Sequence, residues 1–224
     1  MRKTTTRLLL AAALCAVATP AMASEDGQYW QTATINVNLP SNFKLQNETV
    51  FRTSDAKGFY EIENNLMLGR KLNKNVTVWL GYTFDPQYSH GTFTVREHRI
   101  REQVNVDNFA HIGKAKISGR LRLEQRFREG IDGTGWRFRP AVKVSMPFIG
   151  KTTFSLQHES FIDLNTTSFQ KVDGYDRMRN AISVTVPLNK HLNVDFGYLN
   201  QLTLVRGGPD TSDHVLTVGL TANF

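Results

Sequence analysis

Cysteine is almost missing: the 224 residues contain one, Cys15, so disulfides cannot hold this fold together. Long apolar runs are missing too. After Ser24 no stretch approaches the roughly 20 residues that a membrane helix requires, and none shows a convincing amphipathic helical period. No glycine-rich phosphate loop appears. The six histidines, His90, His98, His111, His158, His191 and His214, have no close metal-ligand spacing. The sequence therefore predicts neither metal nor cofactor.

What is present begins with an export signal. Arg2, Lys3 and Arg7 precede an apolar run from Leu8 to Val17, and Ala21-Met22-Ala23 supplies the small residues of a cleavage site. Cys15 lies inside this segment and follows Leu14, where a lipoprotein signal needs a small residue. Residues 1–23 are read as the signal peptide and 24–224 as one domain. Cleavage removes three of the 27 basic residues and none of the 20 acidic ones, which lowers the formal charge of +7 by three. Basic residues mixed with aromatics would suit nucleic acid, but export argues against that partner.

From Gln28 onward the dominant signal is a period of two. "RLRLEQRFREG" puts Arg120, Arg122, Glu124 and Arg126 on one side of an extended chain, and Leu121, Leu123, Gln125 and Phe127 on the other. Strands of this kind are predicted at about 28–39, 43–52, 59–72, 76–84, 94–106, 116–127, 136–146, 152–161, 176–186, 192–204 and 213–224. Short turns at 73–75, 147–150 and 188–190 mostly alternate with longer polar loops at 85–93, 128–135 and 162–175. A soluble sandwich has no reason for that alternation, whereas an outer-membrane barrel has short periplasmic turns and long extracellular loops. The expectation is an all-β, antiparallel transmembrane β-barrel of about 10–12 strands in the outer membrane of a Gram-negative bacterium. Eleven segments are counted, although bacterial barrels normally close with an even number, and the first would run the wrong way for a periplasmic start.

The faces sort by chemistry. Tyr60, Ile62, Leu66 and Leu68, then Val76, Val78, Leu80 and Tyr82, form apolar sides with aromatics near segment ends. A basic side chain facing lipid at mid-depth would cost about 2–4 kcal/mol, so the arginine side is predicted to face the lumen. Arg99, Arg101, Arg120, Arg122, Arg126, Arg137, Arg139 and Lys143 would form a basic wall on three successive strands, extended by Arg177 and Arg179. Such a wall attracts carboxylates and phosphates and sets pore selectivity, which suggests a channel for small anionic solutes. Glu48, Glu61, Glu63, Glu97, Glu102, Glu124 and Glu159 are read as inward too, and enough pairs would plug a structural barrel.

A third reading is enzymatic. In "QHESF", His158 and Ser160 share the lipid-facing side of one strand, and a His-x-Ser pair there resembles the arrangement in outer-membrane lipid A deacylases. The sequence assigns no residue that would orient His158. The last strand places Leu216, Val218, Leu220, Ala222 and Phe224 on one face. A terminal phenylalanine resembles the signal read by the barrel assembly machinery, with outer-membrane lipid and lipopolysaccharide as the expected surroundings.

Together "QYWQTATINVNL" (28–39), "EHRIREQ" (97–103), "RLRLEQRF" (120–127), "DRMRN" (176–180) and "HVLTVGLTANF" (214–224) resemble the outer-membrane proteins grouped as domain of unknown function 2490. That resemblance implies a barrel and a location, and brings no reaction or catalytic residue. Size and charge pattern also resemble small anion-selective porins for acidic oligosaccharides.

Overall fold

A computed structural model describes residues 24–224; the export signal and Cys15 lie outside the described residues. Eleven strands follow in order: β1 (Ser24–Asn38), β2 (Phe43–Ser54), β3 (Gly58–Lys71), β4 (Val76–Ser89), β5 (Thr92–Ile112), β6 (Ala115–Arg128), β7 (Ile131–Pro147), β8 (Thr153–Asp163), β9 (Gly174–Pro187), β10 (Leu192–Thr203) and β11 (Thr211–Asn223). Each pairs with its sequence neighbours in antiparallel fashion, and β1 closes the barrel against β11. All eleven expected segments are strands.

The odd count is resolved at the seam. β1 and β11 run parallel, with Gln28 beside Val215 and Asn36 beside Asn223. An odd number of up-and-down strands can close only through one parallel pair, so the first segment is a full stave. Phe224 locks the same seam: its N–H donates to Asn36 O (2.9 Å), its carbonyl accepts from Asn38 N–H (2.8 Å), and His191 stacks on its ring at 5.7 Å.

Two expected loops are mostly strand. β4 continues to Ser89 and β5 begins at Thr92, joined by His90 and Gly91 with φ of 50° and 78°, the left-handed pair that a tight hairpin turn requires. Glu129 and Gly130 join β6 to β7 in the same short way. Aromatic contacts hold the first extension together, with Tyr88 lying 5.6 Å from Phe59 and 6.0 Å from Phe93. The longer connections that remain, 164–173 and 204–210, lie at one end, called here the loop end; the opposite, turn end carries 39–42, 72–75, 113–114, 148–152 and 188–191.

Period two then sorts the side chains inside out. Leu66, Leu68, Leu80, Leu121, Phe196 and Leu216 are 48–63% exposed on the outer wall, while Asp85, Glu97, Arg101 and Glu124 are at most 1% exposed. A soluble protein would reverse this, and a surface facing hydrocarbon requires it. The expected inward position of Glu102 is wrong. It is exposed and stands between Leu80 and Leu123, because the inward phase of β5 runs through residues 97, 99, 101 and 103.

One small apolar cluster lies inside, where Trp30, Val50 and Val215 are buried against Leu199. On the neighbouring strands β3 and β4, Gly69 leaves room for Trp79, whose ring would stand 2.5 Å from any added Cβ.

Two outcomes follow from this architecture. Leu121→Arg, at mid-depth on the outer wall, lowers folding stability by about 2–4 kcal/mol in lipid vesicles, read from reversible urea unfolding. With cysteines at Thr34 and Thr221, neighbours only in the parallel seam, a short bis-maleimide yields an intramolecular cross-link; its absence would rule out this closure.

Candidate functional site

β5, β6 and β7 bring the predicted basic side chains together. Register sets Arg99 beside Arg126 and Arg122 beside Arg139, an arrangement that would repel if left alone. Carboxylates intercalate. Glu97 accepts from Arg99 Nε (2.6 Å), Arg126 Nε (2.8 Å) and Arg128 Nε (2.8 Å). Glu63 accepts from Arg101 (2.7 Å) and Arg52 (2.8 Å). Glu124 accepts from Arg139 (2.7 Å) and lies 2.9 Å from Arg101 Nε. Glu159 joins Arg139 (3.0 Å) to Arg120, and Arg99 also holds Asp85. Buried guanidinium groups need such partners because an isolated charge out of water is prohibitively costly.

Nearer the loop end Arg137 donates to Asp163 (2.5 Å) and Asp176 (3.3 Å), and Arg177 also donates to Asp176 (3.0 Å). Asp176 reaches inward because of a bulge. Ile162 faces Tyr175 while Phe161 faces Arg177, which leaves Asp176 as the extra residue. Bulges re-aim a side chain in this way.

Three predicted cations stand apart. Arg179 belongs to no ion pair among the described residues; it donates to Gln201 Oε1 (2.8 Å) and lies between the faces of Trp30 (4.8 Å) and Phe161 (4.7 Å). Arg122 donates to Gln103 (2.6 Å), with its nearest paired carboxylate, Glu124, at 3.9 Å. Lys143 is exposed along a cavity. Two cavities occupy the lumen, about 430 Å³ towards the loop end and about 510 Å³ towards the turn end. Trp30, Arg52, Glu63, Arg139 and Arg179 line both and therefore mark the waist between them.

Loop 164–173 folds over one side of the upper mouth. Gln170, 2% exposed, accepts from Arg126 (3.0 Å) and donates to the carbonyls of Trp136 (3.0 Å) and Asn165 (2.8 Å). Phe169 lies 4.9 Å from the Arg128 guanidinium. At the neighbouring hairpin tip, Glu129 accepts from His98 (3.0 Å) and Arg96 (2.9 Å), and these hydrogen bonds hold its carboxyl below the usual range.

The pair on the outer wall is real and has more members than the sequence assigned. Ser160 Oγ lies 3.0 Å from His158 Nε2, and Asn180 Oδ1 lies 2.7 Å from His158 Nδ1. The Tyr175 hydroxyl is 3.0 Å from Ser160 Oγ. Among the described residues no carboxylate takes the orienting place, which belongs to an amide. Asn180 faces His158 through the β8–β9 register, a pairing that depends on a ten-residue loop and a bulge and so leaves no local sequence signal. Arg52 and Asp85 belong to the same network, and each has the inward phase of its own strand.

Removing a shared carboxylate tests the network. Glu124→Gln leaves Arg101 and Arg139 short of compensation and lowers stability by about 3–5 kcal/mol, by the same unfolding measurement.

The sequence signature of the family described as "Protein of unknown function (DUF2490)" matches residues 27–212. An uncharacterised protein of Methylorubrum extorquens is 27% identical over 240 aligned positions, covering 98% of each chain. Among solved structures, the NanC porin superposes with a TM-score of 0.52 at 12% identity, covering 89% of this chain and 99% of that one. At that identity the likeness concerns the fold, which is a porin-like β-barrel. With the signature covering most of the described strands, the chain belongs to the DUF2490 family.

Proposed function

We propose that this barrel forms a narrow passage for small anionic solutes across the outer membrane of a Gram-negative bacterium. The observation that carries the reading is Arg179, a guanidinium at the waist between two cavities, held by two aromatic faces and one amide and committed to no carboxylate. A fixed cation in a constriction sets selectivity, and its fork suits carboxylate or phosphate. Arg122 and Lys143 continue the positive path along the turn-side cavity. The remaining arginines of β5–β7 act as scaffold, because carboxylates already occupy them. Export through residues 1–23, recognition of the Phe224 strand by the assembly machinery, and lipopolysaccharide around the loop end complete the proposal.

A plugged structural barrel is the second reading, favoured by how completely Arg99, Arg101 and Arg139 are neutralised. Planar-bilayer recording under a salt gradient separates the two. A passage gives discrete current steps with anion preference, and Arg179→Gln with Arg122→Gln moves the reversal potential towards zero. Neutralising Arg137 instead leaves Asp163 without its ion-pair partner, so the shift runs towards cation preference. A folded but silent barrel supports the plug, and a selectivity untouched by Arg179→Gln and Arg122→Gln removes the luminal assignment.

A further inference from the structure

A chain of four polar side chains on a lipid-facing wall is unexpected, because that surface gains nothing from polarity. Asn180, His158, Ser160 and Tyr175 form such a chain across β8 and β9. Its order has chemical meaning. An amide oxygen at Nδ1 requires the proton on that nitrogen, which leaves Nε2 free to accept from the Ser160 hydroxyl. That is the tautomer a histidine needs to act as general base for a serine.

A second feature points to what the serine would meet. An outer-wall groove of about 460 Å³ is lined by Val142, Val144, Leu156, Ile182 and Tyr198, and its rim includes His158 and Asn180. Along β8 and β9 these apolar residues lie on the turn-end side of the polar chain, towards mid-bilayer. Ser160 and Tyr175 lie on the loop-end side. An acyl chain descending from the loop-end leaflet would fill the groove and leave its ester beside Ser160.

We infer that Ser160, His158 and Asn180 form an acyl-ester hydrolase site on the outer wall of the barrel, acting on O-acyl esters of membrane lipids. Ser160 Oγ attacks the ester carbonyl carbon while its proton passes to His158 Nε2, and the carbonyl electron pair moves onto oxygen, where the Tyr175 hydroxyl donates. Collapse breaks the bond to the alcohol oxygen, which leaves with the proton from His158. Water, deprotonated by the same Nε2, then attacks the Ser160 ester and releases the fatty acid. Ser160 is the nucleophile and His158 the base; Asn180 is a positioning residue that acts through His158.

The site uses none of the luminal residues, so its test is separate from the conductance measurement. The refolded full chain is mixed with vesicles of phosphatidylethanolamine and phosphatidylglycerol, or with lipopolysaccharide, and released fatty acid is quantified. Labelling of Ser160 by a long-chain alkyl fluorophosphonate is scored in parallel. Release in the first arm assigns a glycerophospholipid source and release in the second an acylated saccharide; both support the site. Ser160→Ala and His158→Ala should each lower the rate at least about 10³-fold. Asn180→Ala should lower kcat roughly 10²- to 10⁴-fold with KM unchanged, and Asn180→Asp should restore most of it. All four substitutions face outward, so folding is checked by retained heat-modifiable mobility. No fatty acid from either lipid together with no labelling of folded protein overturns the inference, as does turnover that survives Ser160→Ala.

Discussion

In hydrocarbon an unpaired strand edge has no water to turn to, so every backbone N–H and C=O of the wall must find a partner within the wall. Closure is therefore the condition on which everything else in this barrel rests. Eleven strands can meet it only by pairing β1 with β11 in parallel, and the price is a ladder slightly weaker per residue than its antiparallel neighbours. The Phe224 clasp with Asn36 and Asn38 sits at the turn end of this one unusual junction. Once the wall is closed, period two leaves each side chain a single choice between lipid and lumen.

That choice explains the interior. Leucines and aromatics take the outside, which forces arginines and carboxylates together within a narrow space. Each of Glu63, Glu97, Glu124 and Glu159 is shared by two or more guanidinium groups. Sharing holds neighbouring strands in register through their side chains as well as their backbones. A guanidinium left outside this arrangement, as Arg179 is, is then a position where the lumen has spare charge.

The sequence disclosed the fold more fully than the sites, for physical reasons. Alternation is local, so each strand was visible in its own residues, and the inward phase of Arg120, Arg122 and Arg126 could be read directly. The extensions Asp85 to Ser89 and Thr92 to Phe93 hid because they lie where polar and turn-forming residues resemble a loop. Glu102 was misplaced because Glu97 and Glu102 differ by an odd number and cannot share a face. Partner choice is a property of register. Nothing near Arg99 in the chain singles out Asp85, and nothing near His158 singles out Asn180, since the latter lies beyond a ten-residue loop and a bulge.

Trp30, Val50, Leu199 and Val215 gather around the seam, and in the ring of strands the seam lies opposite β6 with its row of arginines. The lumen is consequently uneven around its circumference, with the small apolar cluster on one arc and the arginine–carboxylate network on the other. For the passage proposed above, a solute with a charged group on one flank and a carbon skeleton on the other would fit the waist in one rotational setting. Two such fixed walls and a direction of travel define a handed frame, in which mirror-image solutes of equal size and charge make different contacts.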